Sequence, residues 1–189
     1  MVCELGADAV GMVFYEPSAR SVTIAEAKSL SVGVEPLVTR VGLFVNPTAE
    51  FVEQVVQNID LECLQFHGAE SGAFCAQFHR PYIKAISMRP GLRIEDVIAE
   101  HPLASAFLFD AWEEGKTGGT GKTFDWGRLP SLERPWILAG GLNSGNVASA
   151  IEQTGAGAVD VSGGVESSPG TKDREKVRAF VGAVRAADF

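Results

Sequence analysis

Asp110 closes the apolar run Phe107-Leu-Phe-Asp110, where a carboxyl group at a strand end can serve as a general acid or can simply cap a turn. Two pairs of glycines follow other apolar runs, in Leu138-Ala-Gly-Gly-Leu142 and in Val159-Asp-Val-Ser-Gly-Gly-Val165. Without side chains, Gly140, Gly141, Gly163 and Gly164 let backbone N–H groups approach an anion, and phosphate is the anion such loops usually hold. Arg20, in Ser18-Ala-Arg-Ser21, can pair with a carboxylate or phosphate or lie free on the surface. His67, in Gln65-Phe-His-Gly68, can polarise a substrate or only hydrogen-bond its own loop. Gly118-Gly-Thr-Gly-Lys-Thr123 invites a nucleotide-binding reading, but a Walker A loop needs glycine where Lys116 stands. A glycine-rich loop closing over a site fits that stretch better.

These residues share one kind of position, just after short apolar runs. The runs are Ala9–Phe14, Val38–Val45, Leu61–Phe66, Tyr82–Ile86, Ala106–Phe109, Trp136–Ala139 and Ala158–Val161. They are continuous rather than alternating, as in parallel strands covered on both faces. Helical segments separate them. Thr23-Ile-Ala-Glu26 is a capping box, and Thr48 or Asn46 can cap the stripe Phe51, Val52, Val55, Val56 and Ile59. A second stripe follows Asn143 (Val147, Ala150, Ile151), and a third follows Asp173 (Val177, Phe180, Val181, Val184). Strand–helix alternation makes the class α/β. An open doubly wound sheet gathers its site at one switch point, whereas here candidate residues follow strand after strand. A closed (β/α)8 barrel with one shared mouth accounts for that better. The seven units are one short of eight. The opening Val2-Cys-Glu-Leu-Gly6 reads as the last turn of a helix capped by Gly6, so strand 1 and most of helix 1 are expected to be lacking from a single domain over residues 1–189.

Composition narrows the partners. A formal net charge of -8 and a pI near 4.9 repel nucleic acid and anionic membranes, so an anionic substrate needs a site built locally. Cys3, Cys63 and Cys75 match no metal spacing and leave one thiol unpaired, which suits a reducing cytoplasm. No apolar run approaches the roughly 18 residues of a membrane span. His79 and His101 stand beside prolines or in connecting segments and read as structural.

Taken in order, the motifs resemble the phosphoribosylanthranilate isomerase family of tryptophan biosynthesis. The resemblance is carried by Gly11-Met-Val-Phe…Ser18-Ala-Arg20, Val41-Gly-Leu-Phe-Val-Asn-Pro47, Leu64-Gln-Phe-His-Gly68 and Ile83-Lys-Ala85. It continues through Leu108-Phe-Asp110, Gly118-Gly-Thr-Gly…Phe124-Asp-Trp126, Leu138-Ala-Gly-Gly-Leu142 and Val159-Asp-Val-Ser-Gly-Gly-Val-Glu166. It implies an isomerase without cofactor or metal that performs an Amadori rearrangement of a phosphosugar, N-(5-phosphoribosyl)anthranilate. By the same resemblance Asp110 is the general acid, Arg20 holds the anthranilate carboxylate, and the four glycines bind phosphate. The family's cysteine base lies in a Lys-x-Cys-Gly segment, which these residues do not contain. The chain as written is therefore expected to turn over poorly. A histidine-pathway phosphosugar isomerase and a non-catalytic phosphate-binding remnant are the alternatives.

Overall fold

Short polar side chains start most of the helices. In the computed structural model, which describes residues 1–112 and 123–187, Thr23 accepts from the Glu26 N–H while Glu26 accepts from Thr23. That capping box opens α1 (Ile24–Ser31). Thr48 accepts from Phe51 to open α2 (Ala49–Asn58), and Ser71 accepts from Phe74 to open α3 (Gly72–Ala76). α4 (Ile94–Glu100) and α5 (Val147–Thr154) start without a side-chain cap. Asp173 caps α6 (Arg174–Ala186). The opening residues form a single 3-10 turn, Cys3–Leu5, closed by Gly6 at φ 93, a left-handed conformation that suits glycine.

Between the helices run β1 (Ala9–Phe14), β2 (Thr39–Phe44), β3 (Cys63–Phe66), β4 (Tyr82–Ser87), β5 (Ala106–Asp110) and β6 (Trp136–Leu138). They pair in that order, every pair parallel, so all their C-terminal ends lie at one edge. Of the seven predicted runs, Ala158–Val161 is not a strand. It makes one parallel bridge, Leu138 with Val159, through Leu138 N–H to Ala158 carbonyl (3.0 Å) and Asp160 N–H to Leu138 carbonyl (2.8 Å). Gly155 and Gly157 before it and Gly163 and Gly164 after it leave too few residues for a longer ladder. One hairpin is additional, β7 (Glu166–Ser168) with β8 (Thr171–Lys172), turning at Pro169-Gly170 with Gly170 at φ 85.

The described residues therefore form a six-stranded parallel sheet extended by one bridge, rather than eight strands closed on themselves. On the side of β1 away from β2, the Val22 N–H donates to the Val13 carbonyl, so the chain's own loop covers that edge of the strand near its end. One face of the sheet carries Ala85 and Leu108, with Ala139 just past β6, packed against Ile83 and Ile137. The other face carries the larger core, where Phe44 stacks between Phe14 and Phe66 at centroid distances of 5.4 and 5.9 Å. α2 adds Val52 and Val55 to it. A separate cluster joins Leu138, α5 and α6 through Val147, Ile151, Val177 and Phe180.

Phe44 is fully buried at the centre of this aromatic row. Phe44→Ala should lower the free energy of unfolding by about 3–5 kcal/mol, read from urea denaturation at constant m-value. A loss under about 1 kcal/mol would mean that the row contributes little.

Candidate active site

The hydrogen bond from Ala139 N–H to the Phe109 carbonyl (2.8 Å) sets the ends of β5 and β6 side by side. Asp110 is the next residue on one strand and Gly140 on the other. Gly140 has φ 85 and Gly141 φ 67, and a Cβ on Gly140 would strike the backbone of Ala111. Gly163 and Gly164 open a 3-10 turn, Gly163–Val165, and a Cβ on Gly164 would collide with the Leu142 carbonyl. Glycine is required at both places by close backbone approach. Among the described residues, the N–H groups of these four glycines donate to no protein acceptor. They line one small cavity together with Asp110, Asp160 and Ser162. Free glycine amides beside a carboxyl group suit an anion-bearing substrate that gains a proton.

His67 lies against this cavity. Its Nε2 is 3.3 Å from Asp110 Oδ2, with both side chains buried, and makes no hydrogen bond among the described residues.

Arg20 reaches the same end of the sheet but already has a carboxylate. Its Nε and Nη2 donate to the two oxygens of Glu166 at 2.8 and 2.7 Å. Its Nη1 makes no hydrogen bond among the described residues. Lys172 also donates to Glu166 (2.9 Å) and to the Ser162 carbonyl (2.9 Å), placing a cation behind the glycine turn. Burial tends to raise the Glu166 carboxyl, but Arg20 and Lys172 outweigh it and hold the group below the usual glutamate range. The Glu166 bond in turn raises the Arg20 guanidinium.

Asp160, Glu166 and Lys172 went unsingled in the sequence. Asp160 and Glu166 stood inside the quoted Val159–Glu166 stretch, which was their only signal. The Asp160 carboxyl is raised, first by the surrounding protein and then by Asp110, while Lys172 and His67 pull it down. It stays open to solvent on one side, which tempers the shift.

None of the cysteines stands in this cavity. Burial pushes the Cys63 thiol up to about 11 and the Cys75 thiol up to about 12, so both are protonated at neutral pH. Cys3 lies in the opening 3-10 turn, whose neighbours Val2 and Leu5 pack toward α5 and α6. The glycine-rich stretch at 118–123 falls, but for Thr123, outside the described residues. Among the described residues, no three His, Cys, Asp or Glu are grouped to hold a metal ion. No helix among them is long and apolar enough to cross a membrane.

The family model of N-(5'-phosphoribosyl)anthranilate (PRA) isomerase matches residues 1–183. The chain belongs to this family. It is 53% identical over 177 residues to the N-(5'-phosphoribosyl)anthranilate isomerase of Cellvibrio japonicus (strain Ueda107), covering 93% of this chain and 82% of that protein. It is 49% identical to the namesake from Pseudomonas fluorescens (strain Pf0-1), covering 96% and 90%. Among solved structures it resembles the phosphoribosyl anthranilate isomerase of Thermotoga maritima with a TM-score of 0.85 at 36% identity, covering 97% of this chain and 91% of that one. A family structure in complex with reduced 1-(o-carboxyphenylamino)-1-deoxyribulose 5-phosphate matches at TM-score 0.82 and 34% identity, covering 97% and 90%. The isomerase family and the α/β architecture read from the motifs both hold.

The lowered Glu166 carboxyl gives the site's frame a pH signature. A depressed folded value means that its stabilisation is complete above the ordinary glutamate value of about 4.3 and is lost as pH falls through the folded value. Glu166→Gln should therefore be less stable than the parent at neutral pH and lose less stability on acidification below about pH 4.3. Urea midpoints across that window, if parallel for the two chains, would contradict it.

Proposed function

We propose that the chain, working as a single domain in the cytoplasm, isomerises N-(5'-phosphoribosyl)anthranilate to 1-(2-carboxyphenylamino)-1-deoxyribulose 5-phosphate, with Asp110 as the general acid. The observation that carries the assignment of roles is that Asp110 shares one cavity with the four glycine amides. The phosphate is held by the N–H groups of Gly140, Gly141, Gly163 and Gly164, with Lys172 adding positive charge behind them. Asp110 protonates the ribose ring oxygen and the ring opens to a Schiff base; a base that is none of the described cysteines then takes the C2 proton, giving an enolamine that tautomerises to the ketone. His67, beside Asp110, keeps a positive or hydrogen-bonding edge toward the developing carboxylate. Arg20, held by Glu166 on two of its nitrogens, offers Nη1 to the anthranilate carboxylate. The three free cysteines agree with a reducing compartment. The proton at C2 needs a base, and no cysteine among the described residues lies close enough to serve.

Two substitutions separate binding from chemistry. Asp110→Asn, made in a chain joined to a segment carrying the family's Lys-x-Cys-Gly, should keep the fold and the affinity for the reduced deoxyribulose phosphate, and lower turnover by about 10²–10⁴-fold. Retained turnover at unchanged thermal stability would put the acid elsewhere. Gly141→Val and Gly163→Val should each weaken that compound's binding by steric block of the anion loops, measured by calorimetric titration. Unchanged affinity in both would remove the glycine loops from the phosphate site.

A further inference from the structure

Behind the loop that carries His67 lies a buried ion pair that the reaction does not use. Lys84, within β4, is 3% exposed, and Glu70 is 8% exposed. Lys84 shares its strand face with Tyr82 and Ile86, on the helix side of the sheet and away from the cavity. Its ammonium donates to the Phe66 carbonyl (3.3 Å), the Gly68 carbonyl (2.7 Å) and Glu70 Oε2 (2.8 Å), so all three N–H groups are used. Glu70 accepts from the Asn46 N–H (2.7 Å) and the Gly68 N–H (2.9 Å). Asn46, at φ 46, accepts in return from the Ala69 N–H (2.7 Å). The loops after β2 and β3 are thereby tied to β4.

His67 sits between the two residues whose carbonyls Lys84 grips. Its own N–H donates to the Phe44 carbonyl (2.9 Å), but its ring Nε2 has no aligned partner. Nothing at the tip of the ring fixes it, so the backbone must. A buried ion pair rarely stabilises a fold more than apolar residues of like size would, and Phe66, Tyr82 and Ile86 show that apolar packing was available here. What a charged, three-way hydrogen-bonded clamp adds is a fixed backbone at 66–68.

We infer that Lys84 and Glu70 are positioning residues that hold the His67 imidazole against Asp110. The inference rests on His67 and Asp110 forming the reaction site proposed above. Small displacements of such groups cost about 10²-fold in turnover.

The test uses the three histidines of the chain, whose imidazole nitrogens can be followed by NMR. In the parent, Asp110→Asn should shift the His67 ring signals and leave His79 and His101 in place. With Glu70→Gln, or with Glu70→Gln and Lys84→Met together, the fold should persist, because glutamine still accepts from Asn46 and Gly68. In those chains Asp110→Asn should no longer shift His67. Turnover should fall about 10²-fold with KM little changed, and fall no further in a His67→Asn background. A His67 response to Asp110→Asn that persists in the folded variants overturns the inference. Failure of the double variant to fold also overturns it, because the pair would then be holding the fold rather than the loop. If Asp110→Asn leaves His67 unmoved in the parent, the His67–Asp110 contact is itself absent, and the site reading falls with the inference.

Discussion

The bond between Ala139 N–H and the Phe109 carbonyl is the constraint on which the site depends. It aligns β5 with β6 so that the next residue on each strand is Asp110 and Gly140. A parallel ladder sends every chain to the same edge, so a carboxyl group and a glycine loop become neighbours without any contact between their side chains. The bridge through Val159 repeats the alignment one position further round, bringing Asp160 and the second pair of glycines to the same cavity. A slip of one residue in β5 would turn Asp110 toward the helices, and one in the Val159 bridge would turn Asp160.

The two faces of the sheet divide the work. The helix-side face holds the aromatic row from Phe14 through Phe44 to Phe66, and the opposite face carries small residues such as Ala85 and Ala139 that leave room at the mouth. The Lys84–Glu70 clamp brings an ion pair into the helix-side layer, and there every ammonium hydrogen is satisfied. The same clamp reaches the left-handed Asn46 in the loop after β2, whose N–H donates to Glu70 and whose side chain accepts from Ala69.

Much of this was legible in the residues. The capping box at Thr23, the caps at Thr48 and Asp173 and six of the seven apolar runs became elements, because capping and continuous apolar runs are local signals. Asp110 and the glycine pairs were legible because strand ends are marked by the same runs. What stayed hidden was set by tertiary contact or by very short pairing. The Ala158–Val161 run looked like a strand and is one bridge, because glycines bracket it. The three- and two-residue strands β7 and β8 are too short to show a periodicity. Lys84 sat inside the run Tyr82–Ile86 and was read as part of it. Arg20 was read as facing the substrate; nothing near it in sequence named Glu166 as its partner.

That last pair joins residues 146 positions apart. Closing a loop of such length has a large entropic cost before any contact offsets it, and contacts of this kind slow folding. During synthesis Arg20 would leave the ribosome long before Glu166 exists, and its side chain would have no carboxylate to orient it. The Arg20–Glu166 pair is thus completed last, when the final hairpin docks, while Asp110 and the first glycine pair can already be aligned by β5 and β6.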